Sequence, residues 1–259
     1  MRLLSALSTI LILTIPALAQ IHTETIQYKL GETALEGYLA YDESLKGARP
    51  GVLVIHEWTG IGDYVKSRAE QLAGLGYVAF AADIYGKGVR PQSAEQAGAE
   101  ASKYRQNRQL MRERVRAGME QLRSNKLVDP GRIAAIGYCF GGTVALELAR
   151  SGADVAGVVS FHGNPDTPNL ADAKNIKGKV LLLHGAADPF VSKEQIWKFQ
   201  SEMDSANVDW QIVMYSDAVH GFTNPDNIGD PSSGVAYNER ADKRSWEDMK
   251  QFFGEIFRK

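Results

Sequence analysis

Apolar positions along this chain follow two periods, and stretches of each alternate. Gly51-Val52-Leu53-Val54-Ile55, Tyr77-Val78-Ala79-Phe80-Ala81 and Ile133-Ala134-Ala135-Ile136 are short runs with no polar side chain. Such runs suit strands covered on both faces of a sheet. Val155 to Phe161, Val180 to Leu183 and Trp210 to Tyr215 are predicted as further strands. Between these runs the spacing turns helical. The predicted helices run from Asp63, the expected cap, to Leu75; from Ser93 to about Ser124, broken near Asn107; from Ser192 to Ala206; and along a closing segment to about Phe257. Thr23 to Leu30 and Ala34 to Ala40 alternate weakly around Gly31-Glu32-Thr33, as an edge hairpin would. Strands alternating with helices predict an α/β fold with a mostly parallel central sheet and helices on both faces. No internal repeat or linker interrupts the pattern after residue 19, so 20–259 is expected to be one domain.

One stretch carries chemistry. Ile133-Ala134-Ala135-Ile136-Gly137-Tyr138-Cys139-Phe140-Gly141-Gly142-Thr143-Val144 reads as strand, sharp turn and helix. A nucleophile raised on such a turn needs small residues two before and two after it, and Gly137 and Gly141 flank Cys139 in that way. The following helix begins behind the sulfur, where unpaired N–H groups favour a thiolate. Cys139 is also the only cysteine in the chain. A free cysteine by itself is usually a small buried hydrophobe; the glycines and the strand-to-helix context favour a nucleophile.

Asp188, in His184-Gly185-Ala186-Ala187-Asp188, and His220, in Asp217-Ala218-Val219-His220-Gly221-Phe222, also follow predicted strands. Sites in open α/β sheets gather at the carboxyl ends of strands. The order nucleophile, acid, histidine is that of α/β-hydrolases. His220 would act as base and then as acid, while Asp188 fixes its tautomer. Asp217 is the weaker rival for the acid. His56 and His184 also end strands and are expected to be buried and satisfied by backbone groups.

Composition excludes some functions. The 259 residues carry a net charge of −2, with 44% hydrophobic and 23% charged content. This is ordinary for a globular domain and suggests no nucleic-acid partner. The cluster Lys103, Arg105, Arg108, Arg112, Arg114 and Arg116 is expected to be a solvated helix face. His56-Glu57 opens like a zinc-binding helix, but Gly60 stands where the second histidine would be, and no Gly-rich phosphate loop occurs. The expected chemistry uses no metal and no cofactor. Arg2, the apolar stretch Leu3 to Ile15 and Ala17-Leu18-Ala19 read as a signal peptide over 1–19. Cleavage would leave a secreted or periplasmic protein beginning at Gln20, without stable membrane insertion. In an oxidising compartment an unpaired cysteine is a liability unless its thiol is used.

From about Ile26 to Phe257 the chain resembles the dienelactone hydrolase family of α/β-hydrolases. The matching segments are His56-Glu57-Trp58-x-Gly60, Ala82-Asp83-Ile84-Tyr85-Gly86, Gly137-Tyr138-Cys139-Phe140-Gly141-Gly142, His184-Gly185-x-x-Asp188 and His220-Gly221-Phe222. The resemblance implies a Cys139–His220–Asp188 triad that hydrolyses small esters or lactones through a covalent acyl-enzyme. It implies that Glu57 hydrogen-bonds the resting thiol and helps deprotonate it, and that the N–H groups of Phe140 and Trp58 form an oxyanion hole. Tyr85, Lys87, Arg90, His162 and Phe222 are the expected substrate-binding residues. Family members acting on dienelactone hold its carboxylate with two arginines. Here Lys87, with Arg90 further on, stands at the first place and Thr223-Asn224 at the second. A catalytically silent binding protein with the same fold is the alternative reading. A redox-sensing thiol is disfavoured, because no resolving cysteine exists.

Overall fold

The apolar runs pair side by side. The computed structural model describes residues 19–258; the expected signal peptide lies, but for its last residue, outside them. The strands are β1 (Ile21–Leu30), β2 (Thr33–Asp42), β3 (Arg49–Ile55), β4 (Val78–Ala82), β5 (Val128–Tyr138), β6 (Gly157–Phe161), β7 (Lys179–Gly185) and β8 (Trp210–Tyr215). The helices are α1 (Asp63–Gly74), α2 (Ala94–Gln106), α3 (Arg108–Arg123), α4 (Phe140–Arg150), α5 (Lys193–Ser205) and α6 (Glu239–Ile256). All eight strands form one sheet in the order β1-β2-β4-β3-β5-β6-β7-β8. β1 pairs β2 antiparallel as a hairpin, β2 joins β4 antiparallel, and the remaining five pairs are parallel.

Side chains alternate across each strand, so the central strands feed two cores. On β3, Leu53 and Ile55 pack with Phe80, Val115, Val144 and Phe199 in one cluster. Val52 and Val54 pack with Leu72, Phe252 and Phe253 in the other. Burying a side chain of this size contributes roughly 1.5–3 kcal/mol. That explains why these runs lack polar positions. In the parallel register Ile55 sits beside Ala82 on one side and Gly137 on the other, so β3, β4 and β5 end at one level.

The helix break falls at Asn107. Its side chain accepts from Leu110 N at 3.0 Å, and so caps α3 at the point where α2 ends. Asp63 is the first residue of α1 rather than its cap, which is Gly62. β5 starts earlier than its apolar run, at Val128, with a register shift against β3 between Arg49 and Gly51.

The basic cluster is a solvated face on α2, where Lys103 and Arg105 are exposed, but not on α3. Arg112 pairs with Glu147 and Asp172, Arg108 pairs with Asp166, and Arg114 is buried and donates to Thr33 Oγ1. The acids responsible lie on α4 and on the loops beyond it, far away in sequence, so no local pattern announces them. Behind them Arg150, fully buried, donates to both carboxylate oxygens of Glu202 at 2.8 and 2.7 Å and to Glu147 at 3.1 Å. Removing one partner of such a cluster leaves uncompensated buried charge. Arg150→Met is therefore expected to cost about 3–5 kcal/mol, measured by urea unfolding monitored by circular dichroism. A loss under about 1 kcal/mol, the value of an exposed pair, would show that the acids find water or another cation.

Candidate active site

The turn after β5 is built by contacts that exclude side chains. A Cβ on Gly137 would lie 1.9 Å from the Gly141 carbonyl oxygen, and one on Gly141 would lie 2.3 Å from the Ile55 carbonyl oxygen. Between them Cys139 takes φ 53° and ψ −115°, in the left-handed half of the map. Such strain costs of order 1–3 kcal/mol and persists only where the surroundings over-determine it. Cys139 is the N-cap residue of α4 but makes no side-chain cap, so its sulfur is free to face elsewhere.

It faces His220. Sγ lies 3.0 Å from His220 Nε2, and His220 Nδ1 lies 2.8 Å from Asp188 Oδ2. Asp188 is buried just beyond β7, and its other oxygen accepts from Phe190 N at 2.8 Å. His220 is pinned by its backbone, which donates to Gly234 O at 3.0 Å and accepts from Ala236 N at 3.2 Å. The long loop that follows His220 thus returns to hold it. Burial opposes charge on the imidazole, but the facing sulfur and the Asp188 carboxylate outweigh it and raise its pKa to about 10. Asp217 is exposed and pairs with Arg240, away from the histidine.

These groups open onto a cavity of about 460 Å³ lined by Cys139, His220, Glu57, Trp58, Asn224 and Phe190, among others. Phe140 N–H, at the first turn of α4, and Trp58 N–H donate to no other group among the described residues. Tyr85 is buried beneath the Trp58 loop, where its hydroxyl donates to Trp58 O at 2.9 Å.

Glu57 lines the cavity, but its hydrogen bond is not to the thiol. Asn224 Nδ2 donates to Glu57 Oε2 at 2.8 Å, while Asn224 Oδ1 accepts from Asp226 N at 3.0 Å. The second bond fixes which end of the amide faces the acid. Burial raises the pKa of Glu57; the Asn224 bond and the nearby His220 oppose that rise.

The expected substrate-binding residues are not among those lining the cavity. Phe222 and His162 are fully buried, Tyr85 holds a loop, and Arg90 donates to the carbonyls of Ile61 and Val89. Lys87 is exposed and does not line the cavity either. The arginine that does line it is Arg105, from the last turn of α2, an element whose spacing gave no hint of the site. His56 meets the sequence expectation: it is buried, with Nδ1 2.6 Å from Glu57 O and Nε2 accepting from Ile84 N. Burial, partly offset by that carbonyl and by Asp83, lowers its pKa to about 4. His184 does not meet it, since its buried Nδ1 has no partner among the described residues. Among the described residues, no group of three His, Cys, Asp or Glu side chains is arranged to hold a metal ion, and no helix is long and apolar enough to cross a membrane.

The raised Glu57 pKa sets a sign for stability. Between its unfolded value, near 4.5, and its higher folded value, the native state holds more protons than the unfolded chain. Stability then falls as pH rises through that window. Gln at this position cannot ionise and escapes the loss. Glu57→Gln should therefore match wild type below about pH 4.5 and gain in relative Tm as pH rises to neutrality, measured by calorimetry. A difference constant with pH would mean that Glu57 ionises as readily in the folded protein as in the unfolded chain.

Comparison with known proteins bears on the family and the fold. Residues 35–257 match the model of the Dienelactone hydrolase family. A putative carboxymethylenebutenolidase of Aquifex aeolicus is 26% identical over 237 residues, spanning 89% of this chain and 97% of that protein. The solved structure of a protein called m3DLH is 41% identical with a TM-score of 0.88, covering 92% of this chain and 99% of its own. A dienelactone hydrolase-like promiscuous phosphotriesterase from metagenomic libraries is 38% identical, with a TM-score of 0.87 and coverage of 92% and 99%. The fold is that of the α/β-hydrolases, and the chain belongs to the dienelactone hydrolase family, whose members are hydrolases.

Proposed function

We propose that this protein hydrolyses small esters or lactones with Cys139 as nucleophile, His220 as general base and acid, and Asp188 as the residue that orients His220. The observation that carries this reading is the line from Sγ to Nε2 at 3.0 Å and from Nδ1 to Oδ2 at 2.8 Å, opening onto a cavity. With its proton already on His220, the sulfur attacks the carbonyl carbon, and a tetrahedral oxyanion forms. Phe140 and Trp58 N–H receive that oxyanion; each such donor contributes about 10²- to 10³-fold. Collapse breaks the C–O bond, and His220 returns its proton to the leaving oxygen, giving a thioester. For a lactone, the released hydroxyl stays attached to the acyl group. His220 then deprotonates water, which attacks the thioester and frees the thiol.

Groups acting as a unit lose their effects together rather than multiplicatively. Cys139→Ala, His220→Ala and the double variant are each expected to retain similar residual turnover of a chromogenic short-chain ester, with folding intact by circular dichroism. Wild-type turnover in Cys139→Ala would defeat the assignment.

Substrate charge gives a second test. No lysine or arginine other than Arg105 lines the cavity among the described residues, and Asn224 stands near the acid Glu57. A charge-assisted clamp on a carboxylate is worth about 1.5–3 kcal/mol, and a single exposed arginine gives less. We expect kcat/KM for a carboxylated lactone to stay within about tenfold of its neutral analogue, and Arg105→Ala to remove whatever preference exists. A preference above about a hundredfold would mean that another cation reaches the substrate.

A further inference from the structure

We propose that His162 is a positioning residue for the nucleophile: its ring is locked between the Cys139 backbone amide and a buried Thr223–Tyr64–Arg68 chain, and this keeps the sulfur facing His220. The proposal rests on Cys139 being the nucleophile, as argued above.

The hydrogen bonds define the ring's state. Cys139 N–H lies 3.1 Å from His162 Nδ1, which must accept, and it also reaches Phe161 O at 3.0 Å. A ring that accepts at Nδ1 carries its proton at Nε2. That nitrogen lies 2.7 Å from Thr223 Oγ1 and donates to it. Thr223 Oγ1 shares one further hydrogen with Tyr64 Oη at 2.6 Å, and Tyr64 Oη accepts from Arg68 Nε at 3.3 Å. Arg68 is itself buried; it pairs with Asp242 on α6 and donates to Thr223 O at 2.7 Å. The chain therefore ends on an anchored cation rather than in solvent.

Backbone geometry points the same way. Among the described residues four non-glycine positions have positive φ, and two of them, Cys139 and His162, are joined by this hydrogen bond. His162 N–H donates to Leu183 O at 2.8 Å, which ties its own left-handed backbone to β7. A Cβ on Gly142 would lie 2.8 Å from Gly163 Cα, so the turn after β6 rests directly on the start of α4. His162 also stands edge-on to His220, with ring centroids 5.3 Å apart. One imidazole thus supports the nucleophile from beneath while a second meets its sulfur. Complete burial and the neighbouring His220 and Arg68 push the His162 pKa well below the ordinary value, so Nδ1 remains an acceptor at neutral pH.

The test compares two substitutions with one spectroscopic measurement. His162→Asn keeps an acceptor oxygen near the Nδ1 position, whereas His162→Leu keeps only bulk. If the acceptor positions the nucleophile, His162→Leu should lower kcat for a neutral ester by about tenfold or more with KM nearly unchanged, and His162→Asn should recover most of the loss. Equal losses in the two variants, with cooperative unfolding preserved in both, would reduce His162 to packing and overturn the proposal. Should either variant fail to fold, the ¹⁵N shifts of the wild-type ring decide. A single Nε2–H tautomer from pH 6 to 8 supports the proposal, and an Nδ1–H or protonated ring overturns it. Cys139→Ala, assayed in parallel, separates the two levels. Wild-type turnover there removes the hydrolase reading itself, whereas a dead Cys139→Ala with indistinguishable His162 variants removes only this inference.

Discussion

The contact on which this structure depends is the approach of Gly137 to Gly141, closer than any side chain permits. A Cβ at either position would meet carbonyl oxygen, that of Gly141 in one case and that of Ile55 in the other. Backbone alone can therefore close the turn, and closing it forces Cys139 into positive φ. That conformation lifts the sulfur off the sheet and puts the first turn of α4 behind it. Gly141 also rests on the end of β3, where a Cβ on it would meet the Ile55 and His56 carbonyl oxygens. One steric fact thus sets Cys139 at the start of α4, against the end of β3.

Parallel strand order supplies the rest. β7 and β8 are neighbours in register, so the loops leaving them carry Asp188 and His220 to one place despite 32 residues of separation. Neither side chain is placed by its loop alone. Asp188 is held by the Phe190 amide, and His220 by Gly234 and Ala236, residues that follow it by more than one turn of any local motif. Rigid supports of this kind keep a hydrogen-bonded line within the half ångström or so that positioned catalysis requires.

What could be read from the chain, and what could not, divides along local and non-local lines. The strands, the break at Asn107 and the α/β class follow from periodicity and capping, which are properties of neighbouring residues. The Gly-x-Cys-x-Gly spacing is local too, and it announces the turn. The cavity walls are not local. Arg105 reaches the cavity beside Tyr104, which stacks on Tyr85 and donates to its carbonyl. The other arginines of that cluster are taken up by distant partners: Arg108 and Arg112 by acids, Arg114 by Thr33 and Arg116 by Ser151. Their spacing resembled a solvated face because an arginine's partner leaves no mark on the arginine's own sequence. Tyr85 lies in a family-matching segment and His162 follows a strand, and on those grounds both are expected at the substrate. They lie one layer below, where polarity holds loops rather than ligands.

Thr223 and Asn224 show how closely that lower layer is joined to the cavity. They belong to the turn that starts at Gly221, where Asn224 N donates to Gly221 O at 3.1 Å. Thr223 turns inward to the His162 ring, and Asn224 turns to Glu57 in the cavity wall. Arg68, the nearest large cation, is spent on Asp242 and the Thr223 carbonyl, so Glu57 has a neutral amide as its partner and no arginine. Burial raises the Glu57 pKa, and the Asn224 amide, His220 and Arg68 oppose that rise. The same loop thus reaches both layers, and the exposed rings of Trp58 and Phe190 stand with Asn224 in the cavity wall.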